Sequence, residues 1–394
     1  MPISITRRQM LLNTGVVAAG LTMGRGVTRA EWIAPPRAVP LDEEKVKVRA
    51  RLNSNENPYG PSEKARRAMT EAFDDGCRYP GGQNKKLEEL IAKKEGLSSD
   101  QVILGAGSGE VLRMAAMAYG PQGGEILTAH PTYEGLESAA HTIGAFVHRV
   151  ALNKNFEHDL DAMDRRTTQA VRLVFVCNPN NPTGTIVPAD RLRAFCKEVS
   201  RRSVVLVDEA YHEYVDDPHY SSMIDLARDG YNVIISRTFS KIHAMAGLRV
   251  GYGFARPDIV ARLRQFRGFI NILGMQAAMA SYKDPEFQSF SRKKNAEART
   301  YMYKVLDELG YKYIPSQANF VFFKLGKDVQ AQAFRDTMEK KHGILVGRTF
   351  PPYNDYCRVS MGTLDEMKIF AAALREVTRE GLTASKKQQP EPEN

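Results

Sequence analysis

Three short apolar runs, each breaking abruptly into a polar cluster, constrain the fold of this chain most. They are Val171 to Cys177 (interrupted only by Arg172), Val204 to Val207, and Val233 to Ile235. Runs of this length, rich in β-branched residues, read as buried strands. From Gln101 onward strands alternate with helically spaced stretches, which predicts a mostly parallel, doubly wound α/β sheet. The polar clusters then fall at carboxyl ends of strands, the edge where open α/β sheets bind ligands. They are Asn178-Pro179-Asn180-Asn181-Pro182-Thr183-Gly184, Asp208-Glu209-Ala210-Tyr211, and Arg237-Thr238-Phe239-Ser240-Lys241.

A carboxylate that ends an apolar strand is costly unless a cation meets it. For Asp208 a protonated pyridine nitrogen would be such a cation, and a helix N-cap is the plainer reading. Lys241 stands beside Thr238 and Ser240, with Arg249 eight residues on. That grouping suits an amine joined covalently to an aldehyde cofactor that also carries a phosphate. A lone Ser-Lys pair is more often a solvated loop. Upstream, Val102 to Leu104 runs into Gly105-Ala106-Gly107-Ser108-Gly109-Glu110 and a helix from Val111 to Tyr119. A glycine-rich turn opening a helix offers backbone N–H groups to a phosphate, here without the spacing of a dinucleotide fingerprint. Tyr133 follows a strand from Glu125 to Ala129, where an aromatic can stack on a planar ring or simply pack.

Two further segments precede these: Leu52-Asn53-Ser54-Asn55-Glu56-Asn57-Pro58-Tyr59-Gly60-Pro61 and Arg78-Tyr79-Pro80. With them in order, residues 50–380 resemble the fold-type I pyridoxal-phosphate (PLP) enzymes, specifically the class I and II aminotransferases. The pattern is closest to histidinol-phosphate aminotransferases. The resemblance implies PLP as cofactor and transfer of an amino group from an amino acid, or histidinol phosphate, to a 2-oxo acid. It implies that Lys241 forms the Schiff base and moves the proton, that Asp208 pairs with the pyridine nitrogen, and that Asn181 and Tyr211 bind the ring's 3-oxygen. Tyr133 would stack on the ring, while Gly107, Ser108, Gly109, Thr238, Ser240 and Arg249 would hold the phosphate. Tyr79 would reach the neighbouring subunit's phosphate, making a homodimer with shared sites. Arg358 would grip the substrate carboxylate with Asn319 supporting it, and Tyr59 and Asn57 would line the substrate pocket. No metal is called for.

The pattern departs from those enzymes at one place. Gly347 stands where they usually carry an arginine, and Arg348 is displaced by one residue. In a strand, that shift would turn Arg348 to the other face and argue against a phosphate-bearing donor. A PLP decarboxylase or lyase uses the same lysine and aspartate, and a non-catalytic PLP-binding module is a third reading.

The predicted organisation is a signal segment (1–30), a linker (31–48), an N-terminal arm (49–75), a large PLP-binding domain (76–285), a smaller α/β domain (286–380) and a polar tail (381–394). Thr6-Arg7-Arg8-Gln9-Met10-Leu11 resembles a twin-arginine export motif, which predicts a periplasmic or exported protein, with the cytoplasm as the alternative. Without residues 1–30, which hold four arginines and no acid, the formal charge of +9 falls to +5. That modest excess, interspersed with acids, demands no nucleic acid. Four widely spaced cysteines without a C-x-x-C pair predict free thiols. No membrane anchor is expected.

Overall fold

A computed structural model of the chain describes residues 47–326 and 329–381. The expected signal segment, nearly all of the linker, and the tail beyond Gly381 lie outside the described residues.

Strand β1 (Ala50–Leu52) opens the described chain. The central sheet follows, built from β2 (Val102–Gly105), β3 (Glu125–His130), β4 (Val147–Ala151), β5 (Val171–Cys177), β6 (Val204–Asp208), β7 (Val233–Thr238) and β8 (Gly251–Phe254). Their order is β2-β8-β7-β6-β5-β3-β4. The pairs from β7 through β6, β5 and β3 to β4 are parallel, and only β8 runs against its neighbours. This is the mostly parallel sheet expected. The expected strand Val233–Ile235 continues to Thr238, because Arg237 pairs with Tyr252 of β8 and its charge is met underneath.

Side chains alternate across these strands with a period of two. Val205, Val207, Val233 and Ile235 enter one apolar core, shared with Leu87, Leu192 and Met275 from helices on that face. Val204, Leu206 and Ile234 enter the other, shared with Val111, Leu112 and Ile259. Each such buried side chain contributes about 1.5–3 kcal/mol relative to exposure, so both faces resist a shift of register.

The same period carries on past the apolar runs. Asp208 and Ser236 follow the parity of Leu206 and Ile234, whereas Glu209 and Arg237 follow that of Val207 and Ile235. On this second face Arg237 Nε donates to Glu209 Oε2 at 3.0 Å and Arg237 Nη1 to Glu95 at 3.1 Å. Glu209 also accepts from Ser222 Oγ at 2.7 Å and from the Met223 amide at 2.8 Å. Both charges are almost fully buried.

A third core lies under β10 (Phe320–Lys324), β12 (Tyr356–Ser360) and the helices Pro285–Glu308, Ala331–His342 and Leu364–Arg379. β12, β10 and the short β9 (Tyr313–Ile314) form an antiparallel sheet. β11 (Ile344–Val346) pairs in parallel with β1, setting Leu52 opposite Val346. That pairing brings the polar segment after β1 beside the segment after β11. Cys77, Cys177, Cys196 and Cys357 are free thiols. No helix among the described residues is long and apolar enough to cross a membrane.

Removing one partner of a buried ion pair strands the other charge, at a cost of about 3–5 kcal/mol. Glu209→Ala should therefore lower the unfolding free energy by that amount in denaturant titrations. A loss below about 1 kcal/mol would mean that Arg237 finds a substitute partner.

Candidate active site

A cavity of about 460 Å³ opens above the carboxyl ends of β5, β6 and β7. Of the predicted residues, Ser108, Gly109, Tyr133, Asn181, Asp208, Tyr211, Thr238, Ser240, Lys241, Arg249 and Arg358 line it. They come from six separate segments, five at one edge of the central sheet and Arg358 from β12.

Asp208 is only 2% exposed, and its Oδ1 has no hydrogen-bond partner among the described residues. Burial raises its pKa to about 7, with Ser236, the Ala210 backbone and Lys241 offsetting part of the rise. Lys241 Nζ donates to the Asn55 carbonyl at 2.8 Å and lies 5.4 Å from the centre of the Tyr211 ring. Burial, and next the charge of Arg358, bring its pKa down to about 8. An orphaned acid and a partly neutral amine thus face one cavity.

The glycine-rich turn meets Arg249 closely. Gly107 has a φ of +87°, which strains other residues, and a Cβ there would push the Arg249 guanidinium aside. Arg249 itself is left-handed (φ +54°), with Nη1 donating to the Ala246 carbonyl at 2.8 Å and to Ser240 Oγ at 3.3 Å. Thr238 Oγ1 donates to Ser240 Oγ at 3.0 Å. Ser108 starts the helix Ser108–Tyr119, whose amides and dipole favour an anion. Beneath the turn, Glu110 accepts from the Ala106 and Gly268 amides.

Arg358 Nη1 donates to Asn181 Oδ1 at 2.7 Å, and Nη2 to the Asn53 carbonyl at 2.7 Å. Its guanidinium lies 4.9 Å from the Phe350 ring centre, and burial brings its pKa down to about 10. The expected support from Asn319 is not what holds it. Asn319 Nδ2 instead donates to the Asn55 and Glu56 carbonyls at 3.0 and 3.2 Å, fixing the segment that caps Lys241. Asn57 and Tyr59 also lie off the cavity wall. Asn57 bonds to the Ile242 carbonyl and Ser291, and Tyr59 packs edge-on against Phe290. Tyr79 is 84% exposed and rests on Phe269.

The expectation that Arg348 turns away is corrected: it lines the cavity, as does Arg335 from the helix Ala331–His342. β11 ends at Val346, so strand alternation no longer governs position 348. Position 347 cannot carry a side chain, because a Cβ on Gly347 would lie 2.6 Å from the Arg358 carbonyl oxygen. The displaced arginine therefore supplies the cation that position 347 is barred from holding.

Asn55 was not singled out in the sequence, yet it holds the centre of the site. Its Nδ2 donates to Tyr211 Oη at 3.1 Å, its amide donates to Ser360 Oγ at 2.8 Å, and its carbonyl receives Lys241. Its φ of +53° is a left-handed conformation that asparagine tolerates better than most residues, and it shows only in the folded chain.

A model of the aminotransferase class I and II family matches residues 49–374. The chain belongs to that family. It is 43% identical to the histidinol-phosphate aminotransferase of Moorella thermoacetica over 335 residues, 84% of this chain and 86% of that one. It is 36% identical to that of Caldicellulosiruptor saccharolyticus over 331 residues, 83% and 91% of the two chains. The crystal structure of Sinorhizobium meliloti histidinol-phosphate aminotransferase in complex with pyridoxal-5'-phosphate matches with a TM-score of 0.81 at 28% identity, covering 85% of this chain and 92% of that one. The protein is a PLP-dependent transaminase.

The residues present fit that cofactor. The unpartnered Asp208 Oδ1 suits a cation, and Ser108 at its helix start, with Thr238, Ser240 and Arg249 on the same cavity wall, suits an anion. The sign of the pH dependence follows from the two shifted groups. Between pH 3.8 and about 7 the folded, cofactor-free aminotransferase holds a proton on Asp208 that the unfolded chain releases, so stability falls as pH rises through that window. Between about 8 and 10.5 the unfolded chain holds the Lys241 proton that the folded one has lost, so stability recovers. Asp208→Asn should remove the fall in melting temperature between about pH 5 and 7 in the cofactor-free protein. An unchanged slope would place its origin elsewhere.

Proposed function

We propose that this aminotransferase uses Lys241 as its cofactor-bearing amine and takes anionic donors, histidinol phosphate foremost. The observation that carries the reading is the charge of the cavity wall. Lys241, Arg249, Arg335, Arg348 and Arg358 line it, against only Glu56 and Asp208. Such an excess concentrates anions. The relatives at 43% and 36% identity bear the histidinol-phosphate name, and Arg348, whose displacement argued against a phosphate, is on the cavity wall.

When bound, pyridoxal phosphate supplies an aldehyde for an amine to join and a ring that draws electrons from the substrate's α-carbon. Asp208 would keep its charge beside the ring nitrogen, where a cation relieves the cost of burying it. Ser108, Thr238, Ser240 and Arg249 would hold the cofactor phosphate, with Asn181 and Tyr211 at the ring oxygen and Tyr133 across its face. Lys241 Nζ, with its lowered pKa, would take the proton from the substrate's α-carbon and deliver it to the cofactor's aldehyde carbon. Arg358, pre-aligned by Asn181 and Asn53, presents its guanidinium to the anion of the substrate, a phosphate or a carboxylate, with Arg335 and Arg348 on the same wall. Among the described residues the Arg335 side chain makes no ion pair or hydrogen bond, which leaves its guanidinium available to a ligand. A homodimer belongs to the same reading: Tyr79 and Phe269 are 84% and 77% exposed, an aromatic pair that a second copy would cover.

The test is a half-reaction without 2-oxo acid, following the absorption of the lysine-linked cofactor. Histidinol phosphate should convert it to the amine form, and Lys241→Ala should abolish turnover. Arg348→Ala should lower kcat/KM for histidinol phosphate about 10- to 100-fold, the worth of one charge-assisted hydrogen bond. It should spare donors without a phosphate. An equal loss for those donors would sink the phosphate-binding role.

A further inference from the structure

Arg348 is not a free cation. Its Nη2 lies 2.7 Å from Glu134 Oε2, its Nη1 donates to the Thr349 carbonyl at 2.7 Å, and its guanidinium stacks 4.2 Å from the Phe350 ring centre. Glu134 directly follows the cavity residue Tyr133 and stands at the start of the helix Gly135–Thr142. The pair therefore joins the strand end after β11 to the wall beside Tyr133. Both side chains are about half exposed, 44% and 49%, so the pair is weak and easily exchanged.

A phosphate arriving at Arg348 has to take the place of Glu134. That exchange leaves a carboxylate beside a dianion, a repulsive arrangement unless the donor also brings something for the carboxylate. Histidinol phosphate carries an imidazole, whose ring N–H is a hydrogen-bond donor whether the ring is charged or neutral. We propose that Glu134 is a specificity-determining residue: the substrate splits the Arg348–Glu134 pair, its phosphate going to Arg348 and its ring N–H to Glu134. A donor with phosphate but no ring N–H breaks the same pair and leaves the Glu134 carboxylate beside the phosphate with nothing to offset their repulsion, so it is selected against. The inference rests on the histidinol-phosphate reading of the site and adds the ring-recognising group to it.

The test compares histidinol phosphate with phenylalaninol phosphate, which has the phosphate and a ring but no ring N–H. It uses the cofactor-loaded enzyme and its Glu134→Gln variant, with an unchanged cofactor spectrum as the check on folding. In Glu134→Gln, kcat/KM for histidinol phosphate should fall about tenfold, mainly through KM, as one charge-assisted hydrogen bond weakens. Phenylalaninol phosphate should improve, because Arg348 is released from its partner. The same split should appear in equilibrium binding of the two compounds to a Lys241→Ala background, where turnover plays no part. If both donors improve together, Glu134 is only a competitor for Arg348, and the inference is wrong. If neither moves, it is also wrong. Failure of the wild-type enzyme to use histidinol phosphate would instead remove the reading beneath it.

Discussion

Neighbouring parallel strands that end at one edge, with side chains alternating every residue, leave little freedom in what can stand above the sheet. In β6 and β7 the last apolar residues are pinned to two different cores. The next residues must then fall on alternate faces. Asp208 goes to the ligand side. Glu209 and Arg237 go to the opposite side, where they neutralise each other in a place no solvent reaches. A one-residue slip would exchange these roles, burying Asp208 among apolar side chains and exposing Glu209 to the cavity. The site's chemistry thus depends on the hydrophobic period as much as on the catalytic groups.

The site is also costly to build. Asp208 carries an unpartnered oxygen, Lys241 is surrounded by carbonyls and a guanidinium, and Arg358 is desolvated between aromatic rings. Each is destabilised in its charged form by burial, and each faces the same cavity. A phosphorylated cofactor with a basic ring nitrogen and an anionic substrate would relieve all three. Perturbed groups gathered in one cleft are the physical mark of a functional site, and here the perturbations share one cause, removal from water.

Much of this was legible in the sequence. Apolar runs ending in Asp208 and in the Thr238–Lys241 cluster announced both the sheet and its functional edge. The less apolar strand β4 and the helices on either side of it carried weaker signals, because an edge strand buries only part of its surface. Asn55 was hidden among polar neighbours in a turn-rich segment, where composition cannot tell a structural amide from a solvated one. Asn319 looked like a partner for Arg358 but spends its amide on the backbone of Asn55 and Glu56.

By itself, the sequence determined the parallel sheet, the strand that delivers Lys241 and the parity that turns Asp208 toward a ligand. These follow from local periodicity, which neighbouring residues encode. Only the tertiary structure decided which arginines share the cavity. Arg348 lies beyond the end of β11, where alternation stops, and its direction is set by the Arg358 backbone that forbids a side chain at Gly347 and by Glu134 across the cleft. Contacts between residues more than two hundred positions apart leave no period to read, so the groups that would choose the substrate became visible only once the chain was folded.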